Sequence, residues 1–435
     1  MNTPISDYLK KYSESNILRC HMPGHKGRIT GYERDITEIS GADSLFEAEG
    51  IIAESEKNMS RLYGTAATAY SAGGSTLCIQ AMLAIMKQED RKIIAVRNVH
   101  RAFLNAVALL DLEVEWIIPR YSGGILSGEI LMDEVEEKLK RQDKPCCLYV
   151  TSPDYTGHIA DIKRLGALCR KFNARLLVDN AHGAHLPFFE ENFHPIALGA
   201  DLCCDSAHKM LPALTGAAML HTSREEYSDK LKQAMSLFAS TSPSYLILES
   251  LDRCVGYIEN NIRRDIAENL KCICRMKDEI SQLVFGEGEP FHITIRADKS
   301  GIKGGSLAEN LRKRGVECEY SDENTVILLM SPMNCSEDYK RLQKALWESS
   351  EAAEKRIYKE EEFYIPIPET VMSIRKAVFS ATEEIPVENS EGRICASVKV
   401  PCPPAIPIAV SGEIIRIEHI NIFKRYGIST VNVVK

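Results

Sequence analysis

The chain has 435 residues, enough for two domains, and its 44% hydrophobic and 26% charged residues are typical of a globular protein with a sizeable core. Its formal net charge of −8 argues against a nucleic-acid partner, which requires a concentrated basic surface. The N-terminal residues lack the apolar core of a signal peptide, and no apolar run reaches the length of a membrane span. We therefore expect a cytoplasmic protein without a membrane partner.

The 14 cysteines lie mostly inside apolar runs, where a free thiol behaves as a small hydrophobic side chain. The sequence contains no C-x-x-C spacing, and the close pairs are at positions 146–147, 203–204 and 272–274. A metal site or a disulfide framework is the alternative interpretation. We predict buried thiols and no bound metal.

The predicted elements begin with a short amphipathic helix over residues 4–15. Residues 21–27, HMPGHKG, form a turn-rich loop that either is a solvated basic turn or covers an active site. A second loop over residues 41–50 precedes a predicted helix over 51–62, with early glutamates that suit the helix dipole.

Glycines and hydroxyl residues begin the next predicted helix. Gly73, Gly74, Ser75 and Thr76 precede apolar residues that are spaced for one helical face. The free backbone N–H groups and the positive dipole end at a helix start together form a site for a phosphate. The alternative is a plain serine or threonine N-cap that needs no ligand.

Strands and helices then alternate along the chain. The predicted strands cover residues 92–97, 114–118, 146–151, 175–178, 201–204 and 216–221, and the predicted helices between them cover 101–110, 132–141 and 162–172. This alternation predicts a mostly parallel sheet covered on both faces, which binds ligands at the carboxyl ends of its strands. The polar residues at those ends are Asn98, His100, Ser152, Asp154, Asp179, His182, Ser206, His208 and Lys209.

The second part of the chain mixes strands with helices and predicts a smaller α+β domain. A long helical stretch over residues 244–283 is expected to bridge the two parts. Residues 365–407 contain many prolines and are expected to wrap a surface without a core of their own. We predict an N-terminal segment over 1–50, a large domain over 51–260 and a C-terminal domain over 261–435.

A lysine and an aspartate each follow a predicted buried strand. Desolvation there disfavours the ammonium form of Lys209 and makes its amine nucleophilic, although a loop lysine can equally be a solvated surface charge. If Asp179 is buried it needs a partner, and a protonated pyridine nitrogen is one. Together with the phosphate-type helix start at Ser75, these groups match the aldehyde, ring nitrogen and phosphate of pyridoxal phosphate.

Several motifs carry a family resemblance. They are HMPGHKG at 21–27, DITEISGADSLFEAEG at 35–50, GGST at 73–76, VRNVH ending at His100, TSPDYTG at 151–157, DNAHGAH at 179–185, SAHK at 206–209 and a degenerate PPxIPxxxxGE at 403–413. The sequence resembles the fold-type-I, pyridoxal-phosphate-dependent ornithine/lysine/arginine decarboxylases, in the short form without an N-terminal wing domain. The resemblance implies an aspartate-aminotransferase-like large domain, α/β with a mostly parallel seven-stranded sheet, and a smaller α+β C-terminal domain.

The resemblance also implies roles for single residues. Lys209 is the expected Schiff-base lysine and Asp179 the expected partner of the pyridine nitrogen. Either Lys209 or His208 is expected to return a proton to the substrate carbon. The remaining cofactor contacts are the phosphate-binding Gly74, Ser75, Thr76 and Ser206, the ring-stacking His100, His182 beside Asp179, and His208 on the substrate side of the lysine. A hydrogen-bonded core histidine is the alternative for each imidazole.

A basic substrate side chain needs an anionic pocket, and the candidate carboxylates are Asp43, Glu47 and Glu413. Two departures from the family pattern fall in this predicted pocket: Ala405 stands where glycine is usual, and Ser411 where proline is usual. The implied reaction is decarboxylation of arginine, lysine or ornithine, with arginine favoured, as in polyamine biosynthesis. The alternatives are an aminotransferase or carbon–carbon lyase of the same fold, and a cofactor-binding regulatory protein without turnover.

The resemblance implies a homodimer, because active sites of this fold are usually built at a subunit interface. We expect the loop at residues 21–27 to reach the neighbour's site.

Overall fold

The computed structural model describes residues 1–121, 124–357, 363, 365–366, 369–397 and 406–435. Helices α1 to α15 are, in chain order, Pro4–Ser13, Ile51–Tyr63, Gly74–Gln88, Arg101–Leu110, Met132–Lys140, Ile162–Lys171, Pro195–Leu198, Ala207–Met210, Ser228–Ser236, Tyr245–Asn260, Ile262–Glu279, Gly304–Lys313, Ser336–Ala352, Ile374–Val378 and Ile417–Arg425. Strands β1 to β15 are Ala67–Ser71, Lys92–Val96, Val114–Ile117, Arg120–Tyr121, Gly128–Glu129, Cys146–Thr151, Arg175–Asp179, Leu202–Asp205, Ala218–Thr222, His292–Arg296, Tyr320–Ser321, Thr325–Leu329, Thr382–Pro386, Cys395–Ser397 and Thr430–Val434.

The central sheet has seven strands in the order β1-β9-β8-β7-β6-β2-β3. Strand β2 runs parallel to β3 and β6, and β7 runs parallel to β8, whereas β9 is antiparallel to both of its neighbours. The predicted mostly parallel sheet is confirmed, and β2, β3, β6, β7, β8 and β9 lie within two residues of the predicted strands. Strand β1 was not predicted, because its sequence ATAYS is short and lacks a branched apolar residue.

The chain divides into two compact units. Unit 1 comprises Met1–Glu89, Ile162–Arg170 and Arg175–Ala267, and unit 2 comprises Asp90–Asp161, Lys171–Ala174 and Glu268–Lys435. In unit 1, α3 is buried around most of its circumference, because its residues from Leu77 to Met86 are almost all apolar. It packs against β8, β9 and α9. The predicted domain boundaries at residues 50 and 260 stay a prediction.

The predicted helical stretch over 244–283 is present as two helices, α10 and α11, with Asn261 between them outside helical geometry (φ −129°). One expectation about the second half of the chain was wrong. Residues 365–407 do contribute to a core: Ile365, Val387, Cys395 and Ile406 belong to one buried apolar cluster in unit 2. Strands β13, β15 and β14 form a three-stranded antiparallel sheet beside it. None of the helices in the described part of the chain combines the length and apolar composition needed to cross a bilayer.

Candidate active site

Lys209 lies in unit 1, one short turn of helix beyond a fully buried strand. Strand β8 (Leu202–Asp205) is buried along its length because three of its four residues are apolar, and α8 (Ala207–Met210) follows directly. Lys209 is partly exposed, and its Nζ lies 2.9 Å from Nε2 of His182. The strand therefore delivers the amine to the carboxyl edge of the sheet, as the sequence predicts, with an imidazole beside it.

Asp179 is the last residue of β7 and is 2% exposed. Its Oδ1 accepts hydrogen bonds from the Ala181 N–H (3.2 Å) and from the Cys204 thiol (3.5 Å). Because β7 pairs with β8 in parallel, with Asp179 opposite Cys204, the ends that carry Asp179 and Lys209 are adjacent. The predicted placement of the two residues on neighbouring strands is confirmed.

The start of α3 fits an anion. Among the described residues no side chain caps this helix, and Gly74 begins it with a φ of +69°, a conformation that favours glycine. Ser206 is fully buried, and its Oγ has no hydrogen-bond partner in the described part of the chain. A buried hydroxyl without a partner is costly unless a ligand satisfies it. A phosphate group would do so, and Ser75 (half-buried) and Thr76 (exposed) lie in the first turn of the same helix.

The start of α3 is tied to the loop that follows Lys209. The Gly74 N–H donates to the carbonyl of Gly216 at 2.8 Å. The Ser71 hydroxyl donates to the Gly74 carbonyl (3.0 Å) and accepts from the Gly73 N–H (3.1 Å). These bonds fix the backbone of the glycine turn and leave the first N–H groups of α3 facing outward along the helix axis.

His208 is a neutral imidazole with a defined tautomer. Its Nδ1 lies 3.0 Å from the carbonyl oxygen of Ala217, which can only accept, so Nδ1 carries the proton and the lone pair lies at Nε2. Burial lowers the pKa of His208 and the charge of Lys209 lowers it further, against the opposing effect of the Ala217 hydrogen bond. At neutral pH the ring is therefore uncharged, and its Nε2 lone pair can accept a hydrogen bond.

His100 lies in unit 2, at the start of α4. Its Nδ1 accepts from the Ala102 N–H at 3.1 Å, which caps the helix and places the ring proton on Nε2 of the neutral imidazole. Stacking of this ring on the cofactor stays a prediction.

Asp43 is held by the backbone of its own loop and of the start of α2, and its contact with a substrate stays a prediction. Its carboxylate accepts from five backbone N–H groups at 2.8–3.4 Å, those of Ser44, Glu49, Gly50, Ile52 and Ala53. Burial alone would raise the pKa of Asp43, but these hydrogen bonds outweigh it and lower the pKa. Asp43 therefore anchors the loop to the start of α2. Glu47 is exposed in the same loop and accepts from the Ser44 hydroxyl at 2.7 Å, and its contact with a substrate stays a prediction.

Glu413 is also engaged elsewhere. It is 1% exposed and forms a bidentate ion pair with the fully buried Arg97 of the same unit, at 2.5 and 2.7 Å. Its Oε2 accepts a further bond from the Val410 N–H. Arg97 already compensates the charge of Glu413, which argues for a structural role, and its predicted contact with a cationic substrate stays a prediction. Ser411 is buried beside it, and residues 403–405 of the motif, with Ala405, lie outside the described residues.

The HMPGHKG loop pairs its polar groups within the N-terminal segment. The Tyr12 hydroxyl is 2.6 Å from Nε2 of His21, and Lys26 Nζ donates to the His21 carbonyl at 2.5 Å. Nε2 of His25 lies 3.1 Å from the Asp35 carboxylate. These contacts fold the loop on itself.

The described cysteines are free thiols, and most are buried, as expected for small hydrophobic side chains. Burial raises the pKa of Cys78 to about 12 and that of Cys254 to about 12, so both thiols stay protonated at neutral pH.

Known proteins share both the sequence pattern and the fold. The family model described as "Orn/Lys/Arg decarboxylase, major domain" matches residues 3–295, and the C-terminal domain model of the same family matches residues 352–426. An arginine decarboxylase of Bacillus subtilis (strain 168) is 28% identical, with 97% of this chain and 93% of its own length covered. One from Halalkalibacterium halodurans is 29% identical, with 95% and 91% covered.

Lysine decarboxylase A from Pseudomonas aeruginosa has the same fold, with a TM-score of 0.83 at 18% sequence identity over 99% of this chain and 80% of that one. The fold is therefore the fold-type-I architecture, and the uncapped α3 start, the buried Ser206 hydroxyl and the adjacent Asp179 and Lys209 fit its cofactor, pyridoxal phosphate. The chain belongs to the Orn/Lys/Arg decarboxylase family of pyridoxal-phosphate-dependent amino-acid decarboxylases.

Proposed function

We propose that this enzyme decarboxylates L-arginine, with lysine and ornithine as the competing substrates. The observation that carries the proposal is the grouping, in unit 1, of Lys209, Asp179 and the uncapped start of α3 with Ser206. These groups match a cofactor aldehyde, ring nitrogen and phosphate. The preference for arginine is supported by two relatives named arginine decarboxylase, which this chain matches over more than nine tenths of their length.

Each group has a physical role in the proposed reaction. Pyridoxal phosphate supplies the electron sink for the carbanion that remains when carbon dioxide leaves. Asp179 would hold the proton on the ring nitrogen, because a buried carboxylate is stabilised by a cationic partner. The N–H groups of α3 and the Ser206 hydroxyl would bind the phosphate. Lys209 would hold the cofactor covalently and give up that bond to the amino group of the substrate.

The proton that returns to the substrate carbon is best assigned to Lys209. A donor must carry its proton at the atom that faces the substrate. The only proton on neutral His208 is at Nδ1, where it is donated to the Ala217 carbonyl. Lys209 Nζ carries several protons and has the His182 imidazole at 2.9 Å to exchange them with. We infer that His208 accepts and orients, whereas Lys209 donates.

We also infer that the active enzyme is a homodimer with its active sites at the subunit interface. The N-terminal segment supports this inference, because it exposes a run of large apolar side chains: Ile17 (56%), Leu18 (78%), Met22 (63%) and Ile29 (51%). A second copy of the chain would cover them. Sedimentation of the active protein as a monomer would contradict the proposal.

Purified enzyme loaded with cofactor should be incubated with a panel of L-amino acids, and carbon dioxide and amine products should be measured. Arginine should give the highest kcat/KM, with agmatine and carbon dioxide released in equal amounts. Lys209→Ala should abolish turnover and the visible absorbance of the bound cofactor, whereas Lys230→Ala, at a lysine paired with Glu89, should change neither. Transfer of the amino group to a keto acid without release of carbon dioxide would decide for an aminotransferase. Cofactor binding without turnover would decide for a regulatory protein.

A further inference from the structure

A buried polar network lies behind the cofactor-binding strand ends. Successive side chains on a strand point to opposite faces of the sheet. Asp179 and Cys204 are in register on β7 and β8, and a hydrogen bond joins their side chains on one face. The next residues, Asn180 just beyond β7 and Asp205 at the end of β8, bond to each other on the opposite face, and Ser206 follows as the N-cap of α8. Asp179 and this network therefore lie on the two faces of the same two strand ends.

The centre of the network is Asp205, which is 0% exposed. Its Oδ1 accepts from Nδ2 of Asn180 at 2.7 Å, and its Oδ2 accepts from Nε2 of His194 at 3.1 Å. Nε2 of His221 lies 3.5 Å from the same Oδ2, and Nδ1 of His221 is 2.8 Å from the Thr68 hydroxyl. We call these five residues the Asp205 network. It crosses four neighbouring strands, β7, β8, β9 and β1.

The two imidazoles and the carboxylate are close enough together to raise the question of a metal ion. The tautomer of His194 argues against one. Its Nδ1 accepts from the Ile196 N–H at 3.4 Å, so the proton of the neutral ring lies on Nε2 and points at Asp205. A metal ligand must present an unprotonated nitrogen. The cluster is therefore a hydrogen-bond network around a carboxylate.

The network is centred on a buried carboxylate. Burial acts to raise the pKa of Asp205, but His194 and His221 outweigh it and hold the pKa low, so the carboxylate is ionised. Burial lowers the pKa of His221, which therefore stays neutral at physiological pH in spite of Asp205 beside it. Such a charge persists in a protein interior only where its hydrogen bonds are fixed, so the side chains around Asp205 have little freedom to move.

Tyr63 extends this rigidity to the loop after Asp179. Its ring stacks on His221 at 4.7 Å between centroids and an angle of 19°, and packs edge-on to His194 at 5.3 Å. Its hydroxyl donates to the carbonyl of Ala184 at 2.6 Å. The network therefore holds both the strand end and the turn that carries His182.

We propose that Asp205 is a positioning residue for the cofactor site, because it fixes the end of β8 against the end of β7. A backbone bond from the Asn180 N–H to the Cys204 carbonyl (3.0 Å) links the two strands there, and the Asn180–Asp205 side-chain bond is a second link just beyond it. This second link sets the spacing between Asp179 on one strand and Ser206 and Lys209 on the other. The inference rests on the proposed assignment of those three residues. A rigid cofactor tolerates little error in their spacing.

The central experiment compares Asp205→Asn with Asp252→Asn in the 435-residue chain. The first change keeps the shape of the side chain but points an amide N–H₂ at one of two donors, on Asn180 or His194. The dissociation constant of pyridoxal phosphate should rise on the order of tenfold or more, as when residues that orient a binding site are lost. The visible circular dichroism of the bound cofactor should change as well. Asp252 is the matched control, a carboxylate of the same unit that is also 0% exposed and bonded to Ser55 and Ser6. Its variant should alter thermal stability and leave cofactor affinity within about twofold.

An exchange of the two side chains tests the link itself. Asn180→Asp alone places two carboxylates side by side and should bind the cofactor more weakly than Asp205→Asn. The double variant, Asn180→Asp with Asp205→Asn, restores an amide–carboxylate bond in reverse and should recover most of the affinity. If Asp205→Asn does not fold, Asn180→Ala removes the link and leaves the histidine contacts of Asp205, and it should show the same loss to a smaller extent.

Two results would overturn the inference: wild-type affinity and circular dichroism in Asp205→Asn and Asn180→Ala, or an equal loss in Asp252→Asn. Failure of the underlying assignment has a different signature. If Lys209→Ala keeps the visible cofactor band, the assigned site is wrong. If Lys209→Ala loses the band but Asp205→Asn binds the cofactor as tightly as Asp252→Asn does, the assigned site stands and only the positioning role of Asp205 is rejected.

Discussion

The buried ion pair between Arg97 and Glu413 gives the sharpest quantitative prediction. Both side chains are at most 1% exposed, and two hydrogen bonds of 2.5 and 2.7 Å join them. Nη2 of Arg97 also reaches the Ile408 carbonyl at 3.5 Å, and its guanidinium lies 5.1 Å from the ring of Trp116. The change we consider is Glu413→Gln, which keeps the shape of the side chain and removes its charge.

The expected cost is large because Arg97 stays charged and cannot reach water. A glutamine offers one acceptor in place of two, and its N–H₂ group would face a guanidinium N–H. Breaking one partner of a buried pair costs about 3–5 kcal/mol. The pair itself is not needed for folding if both charges are removed. Arg97→Met with Glu413→Leu should therefore recover most of the stability that Glu413→Gln loses.

Fluorescence of Trp116 during urea unfolding measures this cost close to the pair. The chain has two tryptophans, so Trp347→Phe, at an exposed position, serves as the background for all variants. The urea midpoint of Glu413→Gln should fall, and arginine kinetics at low temperature should show a lower active fraction with an unchanged KM. The opposite result, an unchanged midpoint with a raised KM for arginine, would refute the structural role and return Glu413 to the substrate pocket.

Three further predictions concern single side chains. Asp43→Ala should lower stability by about 2 kcal/mol in urea unfolding, because the start of α2 loses its acceptor, and an unchanged midpoint with a raised KM would contradict this. Ser206→Ala should leave the melting temperature of the cofactor-free protein unchanged, because the hydroxyl has no hydrogen-bond partner among the described residues. The affinity for the cofactor should fall. A fall in both the melting temperature and the affinity would point to a structural role. Burial lowers the pKa of His419 to about 4, so between pH 6.5 and 4 the unfolded chain binds a proton that the folded protein does not. The folded protein therefore loses up to about 3 kcal/mol of stability as the pH falls through that window. His419→Asn keeps an acceptor for the Arg416 N–H and should reduce that loss in melting curves from pH 7 to 4; a parallel decline in both proteins would exclude His419 as the cause.

The central sheet could be predicted because its strands are continuous apolar runs that end in polar residues. The run before Lys209 and the run before Asp179 each end within one residue of the prediction, since burial on both faces leaves no room for a polar residue inside them. The C-terminal sheet could not be predicted in the same way. Its strand β15 lies between two strands that are far from it in sequence, and such pairing leaves no local signal.

The positions of Lys209 and Asp179 in the fold were predictable and the partner of Glu413 was not, for a related reason. Lys209 and Asp179 follow from their position after a strand. The state of a carboxylate depends on its partner, and the partner of Glu413 is 316 residues away. For Asp43 the sequence did contain a local signal. An aspartate in a turn-forming segment just before a helix commonly caps that helix. Asp205 stands next to the SAHK motif, but only the fold shows that it faces away from it.

The hydrogen bond between Gly74 and Gly216 has a consequence for how the coenzyme is lost. If the start of α3 binds the phosphate as proposed, the turn that holds the phosphate and the loop that follows Lys209 are joined by this backbone hydrogen bond, and we expect movement of one to disturb the other. Dissociation of vitamin B6 from this protein is accordingly expected to be a single concerted opening rather than a stepwise peeling from tail to ring.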